Sequence, residues 1–482
     1  MNYALEEIIR RLESVESSSS SLDTSEQVRN EHMNAVASYA SSFVAGLPTV
    51  KGYVNKQVGS LAITNEPKQL EKLLQLYQSE VAENGINAAS AKHLGYIPGG
   101  GVFTAALADF IAAVTNPFAS VHFASPGAAA MENEVVRWLM SVFRFPDDAV
   151  GCLTSGGSTS TLVAFTAARD SYQVKNENVR RSVVYVSEYV HHSTQKALRL
   201  IGLEDVVIRY VATDERHRIR PSVLQTTIED DIKNDLKPFL VVATAGTTDT
   251  GAVDPLNEIA TVAKNYGLWF HVDAAYGGFF ILTSKEPLFN GIEHADSIIV
   301  DPHKGLFLPY GVGAVLVKSA SDVLTSHYYT ANYMQDVNDD ELLKSPANLS
   351  PELTKHFRGL RVWLPLQLHG IQPFVDCLEE KILLVKYFRL KLLELGFCVG
   401  PEPELSVSYF WYPFATDADA MNSKLMELIH QDGSVFLSSS IVDGKFVIRI
   451  AILAFRTKKE TVDEAVSMVE RCLRKLTLAN ND

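Results

Sequence analysis

The sequence predicts an α/β fold: a mainly parallel central sheet, an N-terminal helical segment and a small C-terminal α+β domain. Three observations carry this. Short Val- and Ile-rich runs alternate with helical stretches from about residue 102. Most of the runs do not alternate with polar residues, which marks strands buried on both faces of a mainly parallel sheet. Past about residue 375 the pattern changes to strands joined by tight turns.

The N-terminal part reads as helices. Residues 25–45 and 67–83 carry helical periodicity, and Leu70, Leu73, Leu74, Tyr77 and Val81 fall on one face. Ser17 to Ser21 reads as a flexible break after a first helix. These helices are too amphipathic to stand alone and need a partner surface. The strands expected in the middle are Ser182–Val186, Val206–Val211, Phe239–Thr244, Leu268–Val272, Ser297–Val300 and Ala314–Val317. Parallel strands require crossover helices, which the intervening segments supply. Near the C-terminus, 376–395 reads as a long helix ended by Gly396, and Thr461–Leu476 as a final one. Ser406–Tyr412, Ser434–Ser440 and Phe446–Leu453 read as strands, with Asp443-Gly444 as the turn before the last. The expected domains are 1–100 (helical), 101–375 (large α/β) and 376–482 (small α+β).

Composition narrows the function. With 482 residues and 46% hydrophobic residues, a large core is expected. A net charge of −14 argues against nonspecific binding to nucleic acid or anionic membranes. The four cysteines form no C-x-x-C pair, and no metal site is expected. Few cysteines, no signal-peptide pattern in residues 1–16 and no long apolar run point to the cytoplasm.

Four segments at predicted strand ends carry chemistry, where ligands bind in open α/β sheets. Thr154-Ser155-Gly156-Gly157-Ser158-Thr159-Ser160 precedes a helix, and such a turn can offer backbone N–H groups to a phosphate; taken alone, a glycine–serine turn before a helix is usually just a turn. In His271-Val272-Asp273-Ala274-Ala275 the Asp ends an apolar strand and needs a cation or strong donor; a protonated pyridinium would serve, and a simple helix-capping Asp is the alternative. Asp301-Pro302-His303-Lys304-Gly305 places a Lys just past a buried strand, where its amine can condense with an aldehyde. Glu188-Tyr189-Val190-His191-His192-Ser193 offers an imidazole that can stack on a flat ring.

Together these segments resemble the group II decarboxylases that use pyridoxal 5′-phosphate (PLP), from about Leu94 to Trp363. Matching stretches include Gly95-Tyr96-Ile97-Pro98, Ser125-Pro126, the 154–158 turn, 191–197, 243–248, 271–275 and 301–304. The resemblance implies the aspartate-aminotransferase-like fold type I and decarboxylation of an L-amino acid. It implies that Lys304 holds PLP as a Schiff base, that Asp273 pairs with the ring nitrogen and that Ala275 packs beside the ring. His191, six residues before the Ala of H-x-x-x-x-K-A, matches the stacking histidine. Gly157 and Ser158, with His303, would hold or flank the phosphate, Gly156 and Asp301 would join the cofactor-binding set, and Thr247 would lie near the ring and its 3′ oxygen. Tyr333, in a polar loop over 327–340, matches the tyrosine that protonates Cα after CO₂ leaves, in a loop that the family's neighbouring subunit supplies. The catalytic set is therefore Lys304, Asp273, His191 and Tyr333, in a homodimer with shared sites.

Tyr96, Ile97, Pro98 and Gly99 are the expected substrate pocket. Gly305 stands where a bulky residue often follows the lysine. Ile97 replaces a Phe, Gly99 to Gly101 replace a threonine-containing turn and Thr159 replaces a Glu. An aromatic or bulky apolar substrate is expected. An acidic substrate, a decarboxylating aldehyde synthase and a non-catalytic PLP-binding protein are the alternatives. Tyr333 argues against the aldehyde route, whose members often replace it, and the intact set against the non-catalytic reading.

Overall fold

A computed structural model describes residues 2–328 and 339–479. Contacts divide the chain into two compact units, Met1–Asn87 and Ala88–Asp482.

The first unit contains helices α1 (Asn2–Ser19), α2 (Glu26–Gly46) and α3 (Leu70–Tyr77), and a two-residue strand pair, β1 (Tyr53–Val54) with β2 (Gly85–Ile86). The serine run is not a break. Helix α1 continues to Ser19 and a 3₁₀ turn follows over Ser20–Leu22. Ser20 and Ser21 hydroxyls donate back to the carbonyls of Ser17 and Ser18, so the run holds its own turns. The chain breaks instead at Asp23–Ser25, where Ser25 caps α2 by accepting the Val28 N–H. The residue 67–83 helix is shorter than expected: α3 stops at Tyr77 and a wider π turn covers Gln78–Ala82.

The second unit is built on seven strands: β3 (Val150–Thr154), β4 (Ser182–Ser187), β5 (Val207–Val211), β6 (Lys237–Thr244), β7 (Trp269–Asp273), β8 (Ser297–Val300) and β9 (Gly313–Val317). Their order is β3-β9-β8-β7-β6-β4-β5. Pairs β4·β5, β4·β6, β6·β7 and β7·β8 are parallel, whereas β9 runs antiparallel to both its neighbours. Strands β3, β4, β8 and β9 are buried throughout, as the unbroken apolar runs predicted for the last three. β3 is absent from the expected strands because Val-Gly-Cys-Leu-Thr has little β-branching and a glycine inside. That glycine is needed: a Cβ on Gly151 would sit 2.5 Å from the Val315 carbonyl of β9. Helices α4 (Phe103–Thr115), α5 (Pro126–Val142) and α6 (Gly157–Ser171) belong to this unit.

A second sheet, in the order β10-β11-β13-β12, is antiparallel: β10 (Cys398–Val399), β11 (Val407–Trp411), β12 (Ser438–Val442) and β13 (Lys445–Ala451). The expected strand at Ser434–Ser440 is displaced. Phe436 pairs instead with the 92–94 segment, donating its N–H to Lys92 and accepting from Leu94, and β12 begins only at Ser438. Helices Gln372–Glu394 and Lys459–Ala479 pack with this sheet around a core that includes Phe388, Phe410, Ile448 and Val469. Residues 88–94 thus pair with the C-terminal region, and the contact boundary falls at Asn87 rather than near residue 100.

Candidate active site

A cavity of about 270 Å³ opens where β3, β4, β6, β7 and β8 end. One wall is the turn from β3 into α6. Gly156 has φ 150°, which favours glycine, and a Cβ there would crowd His303 Cε1 at 3.3 Å. Ser155, Gly156, Gly157, Ser158 and Thr159 all line the cavity. The 15-residue helix α6 therefore starts at the cavity, with its positive end and leading N–H groups suited to an anion.

Strand β7 delivers Asp273, which is buried and accepts the Ala275 N–H at 3.0 Å through Oδ1. Ala275 also lines the cavity. Strand β8 delivers Asp301 and the one-turn helix Pro302–Gly305. Lys304 Nζ lies 3.1 Å from Asp301 Oδ2. His303 Nδ1 is 2.6 Å from the Val312 carbonyl, so Nδ1 carries the proton and donates it. Burial holds His303 below the ordinary histidine range, against the pull of Asp301.

His191 follows β4. Its Nδ1 accepts the Ser193 N–H at 3.3 Å, and its ring centroid is 4.1 Å from that of His192. Burial pushes its pKa down; the Asp273 carboxylate opposes this, and His192 and Lys304 add to it. His191 is thus a neutral imidazole at physiological pH, with its protonation tied to both Asp273 and Lys304.

The structure gathers Gly156, Gly157, Ser158, His191, Asp273, Ala275, Asp301, His303 and Lys304 around one cavity. It does not bring Thr247 there. The Thr247 hydroxyl turns into its own loop, 2.7 Å from Thr250 Oγ1, and accepts the Ala252 N–H; Gly246 and Thr248 line the cavity instead. Nor do Tyr96, Ile97, Pro98 and Gly99 line it. Tyr96 is exposed, with its ring 5.6 Å from Phe436, and Ile97 belongs to the main core. Gly99 serves differently: a Cβ on it would collide with the His303 carbonyl oxygen. Gly99→Ala is therefore expected to push the 303–304 turn out of place and weaken PLP binding by an order of magnitude or so, about the effect of 1–3 kcal/mol of overpacking. Equilibrium titration of the apoprotein checks this. Tyr333 lies outside the described residues.

Sequence reasoning missed Ser155, Thr244, Tyr276 and Ile299 as cavity residues. Ser155 and Thr244 lie inside quoted stretches, Tyr276 directly follows 271–275 and Ile299 lies two residues before Asp301, so membership of a motif or nearness to one was the available signal. Gly305 also finds its reason: a Cβ there would meet Phe279 at 2.9 Å, so the fully buried Phe279 ring fills the space beside the lysine.

Behind the site, Asp254 accepts the N–H groups of Thr244 (2.8 Å) and Ile219 (2.7 Å). Burial pushes its pKa up to about 7, helped by Glu404 and Asp214 and opposed by those two hydrogen bonds. The folded protein keeps this proton to about pH 7, whereas the unfolded chain releases it near 3.8, as an ordinary aspartate does. Stability from this group is therefore greatest at the acid end of that window and falls as pH rises through 7, by roughly 2–4 kcal/mol at most. Glu404 is raised for the same first reason, burial, and adds in the same direction. Denaturant midpoints measured from pH 5 to 8 should fall, and Asp254→Asn should flatten the fall while lowering stability throughout, because its amide would face one of the two N–H donors.

The residues fit PLP. A primary amine, a strand-end carboxylate, a flat imidazole and a helix N-terminus match an aldehyde, a ring nitrogen, a ring face and a phosphate. Gly157 leaves a cradle: a Cβ would stand 3.0 Å from Asp301 Oδ2 and 3.4 Å from Ala275 Cβ. Asp301 Oδ1 and Thr244 Oγ1 are buried there without a hydrogen-bond partner. Residues 53–412 match the family model described as the pyridoxal-dependent decarboxylase conserved domain. The chain belongs to that family. This pyridoxal-dependent decarboxylase is 33% identical over 397 residues to an aromatic-L-amino-acid decarboxylase of Bacillus atrophaeus, covering 80% of this chain and 82% of that one. It is 27% identical over 480 residues to a phenylacetaldehyde synthase of Petunia hybrida, covering 93% and 94%. Among solved structures, Oryza sativa TDC with PLP and tryptamine superposes with a TM-score of 0.88 at 22% identity, covering 94% of this chain and 99% of that one. The decarboxylase is thus a PLP-dependent carboxy-lyase of fold type I, acting on an amino acid.

Proposed function

We propose that this decarboxylase converts an aromatic or bulky apolar L-amino acid to its amine and CO₂. The observation that carries the site reading is the convergence of Lys304, Asp273, His191 and the α6 N-terminus on one cavity. The aromatic preference is supported by the Bacillus atrophaeus relative. When bound, PLP supplies an electron sink for the bond broken at Cα. Lys304 Nζ would anchor the aldehyde, and Asp273 would keep a proton on the ring nitrogen. His191, a neutral imidazole lining the cavity, would pack against the cofactor and help orient the substrate carboxylate. The 155–158 turn holds the phosphate. The test is a panel of L-amino acids offered to holoenzyme, with CO₂, amine and aldehyde scored separately; turnover confined to acidic amino acids overturns the preference.

The phenylacetaldehyde synthase relatives support a second reading, in which the product is an aldehyde. Tyr333 favours the amine, by protonating Cα. Tyr333→Phe is then expected to retain CO₂ release and, under air, to shift product from amine to aldehyde, ammonia and peroxide. Amine as the sole product at the native rate overturns that role.

The proposed assembly is a homodimer whose loop bearing Tyr333 completes the neighbouring site. Exposed apolar faces support it: Leu5, Ile8, Leu12 and Val15 on α1, and Phe103, Leu107, Phe110, Ile111 and Val114 on α4. Sedimentation should give twice the chain mass of 53.1 kDa, and a fully active monomer at assay concentration overturns it. The proposed location is the cytoplasm, supported by four free cysteines. No described helix is long and apolar enough to cross a membrane.

A further inference from the structure

We infer that Tyr189 and Asp443 are positioning residues that set the stance of His191 through a hairpin of the small sheet. Strand β4 ends at Ser187, and the Val190 N–H returns to the Ser187 carbonyl at 3.2 Å, closing a turn directly before His191. Tyr189 sits in that turn. Its side chain is buried and does not line the cavity. It enters an apolar cluster with Tyr409 of β11, Val442 of β12 and Val447 of β13. Its hydroxyl donates to Asp443 Oδ1 at 3.0 Å. Burial and the Asp443 carboxylate hold this hydroxyl far above the ordinary tyrosine range, so it stays a donor.

Asp443 (φ 50°) and Gly444 (φ 73°) form the two-residue tip between β12 and β13, where Val442 pairs with Lys445. The His217 and Tyr189 rings pack edge-to-face at 4.9 Å between centroids, and His217 Nε2 is 2.8 Å from the Tyr409 hydroxyl. Tyr189 is therefore fixed by ring packing and by one directional bond. Only Val190 separates it from His191, so a shift of Tyr189 is transmitted to the imidazole.

The same hairpin grips the 248–249 loop of the site and the Tyr96 backbone beyond it. Ser440 Oγ donates to Asp249 Oδ1 at 2.8 Å. Arg449 donates through Nε to the Thr248 carbonyl at 2.7 Å and through a terminal nitrogen to the Tyr96 carbonyl at 3.0 Å. Strands β12 and β13 brace the site, and Tyr189 is the strut to His191.

This rests on the proposal that His191 contacts the cofactor. The experiment is a titration of apoprotein with PLP, read by intrinsic fluorescence, alongside the apoprotein Tm. Tyr189→Phe keeps the ring and removes the bond; PLP binding is expected to weaken about five-fold, the scale of one hydrogen bond, with Tm nearly unchanged. Asp443→Gly keeps the positive φ and removes the acceptor, and should weaken PLP similarly; Asp443→Asn keeps both and should bind like the native protein. In a His191→Ala background Tyr189→Phe should add nothing. A fully additive double mutant, native affinity in Tyr189→Phe, or an Asp443→Asn as weak as Asp443→Gly overturns the inference. His191→Ala with native affinity overturns the His191 reading itself and this inference with it. If Tyr189→Phe does not fold, Asp443→Gly, at an exposed tip, carries the same comparison.

Discussion

Lys304→Ala is expected to leave decarboxylation at background, a loss of at least about 10³-fold, because among the described residues no other primary amine lines the cavity. The rest of the site remains: the α6 N-terminus, Asp273 and His191 do not depend on the lysine side chain for their positions. PLP should therefore still enter, but reversibly, and dialysis should remove it. The visible absorbance of the lysine-bound cofactor should be missing. Lys304→Arg separates two contributions. Its guanidinium can keep an ion pair with Asp301, now 3.1 Å from Nζ, yet it cannot condense with an aldehyde. If covalent anchoring is the role of Lys304, Arg is as inactive as Ala. Recovery of turnover in the Arg variant, or a normal bound-cofactor spectrum in the Ala variant, refutes the assignment.

How much of this was legible differs by element. Strand β5 carries Arg209 within its run and leaves Tyr210 exposed, so it is legible only from its β-branched residues. Strands β4, β8 and β9 announce themselves because each is a short, mostly apolar run buried throughout, as burial on both faces demands. β3 does not, because its fit depends on a glycine beside a carbonyl of β9, a long-range contact with no local signature. The serine run misled because serine favours loops by composition, yet here its hydroxyls close helical turns. In the site, Lys304, Asp273 and His191 were readable because each follows a recognisable strand in a dense motif. Thr247 was not: whether a hydroxyl in the 243–248 stretch faces the cavity or its own loop depends on the turn that puts Thr250 and the Ala252 N–H beside it. The 96–99 segment shows the same limit. Its glycine matters through contact with the His303 carbonyl, a neighbour more than 200 residues away in sequence.

Asp273→Asn is the second large effect. Asp273 is 7% exposed at the carboxyl end of β7, and its Oδ1 is committed to the Ala275 N–H at 3.0 Å. Asn has the same shape, and its carbonyl oxygen can keep that bond. Fold and PLP binding should therefore survive. What is lost is the negative charge, and with it the force that keeps the ring nitrogen protonated. The expected outcome is a fall in kcat of at least about 100-fold with little change in substrate binding, the pattern of an interaction realised in the transition state. A second readout comes from His191. The Asp273 carboxylate raises the His191 pKa against the larger effect of burial. Removing that charge should lower it further, so whatever residual activity depends on neutral His191 should persist to lower pH than in the native enzyme. A pH–rate profile of the mutant at saturating PLP reports both. Near-native turnover sinks the role at the ring nitrogen. An acid limb that stays in place, despite slow turnover, would show instead that Asp273 and His191 are not electrostatically linked in the working enzyme.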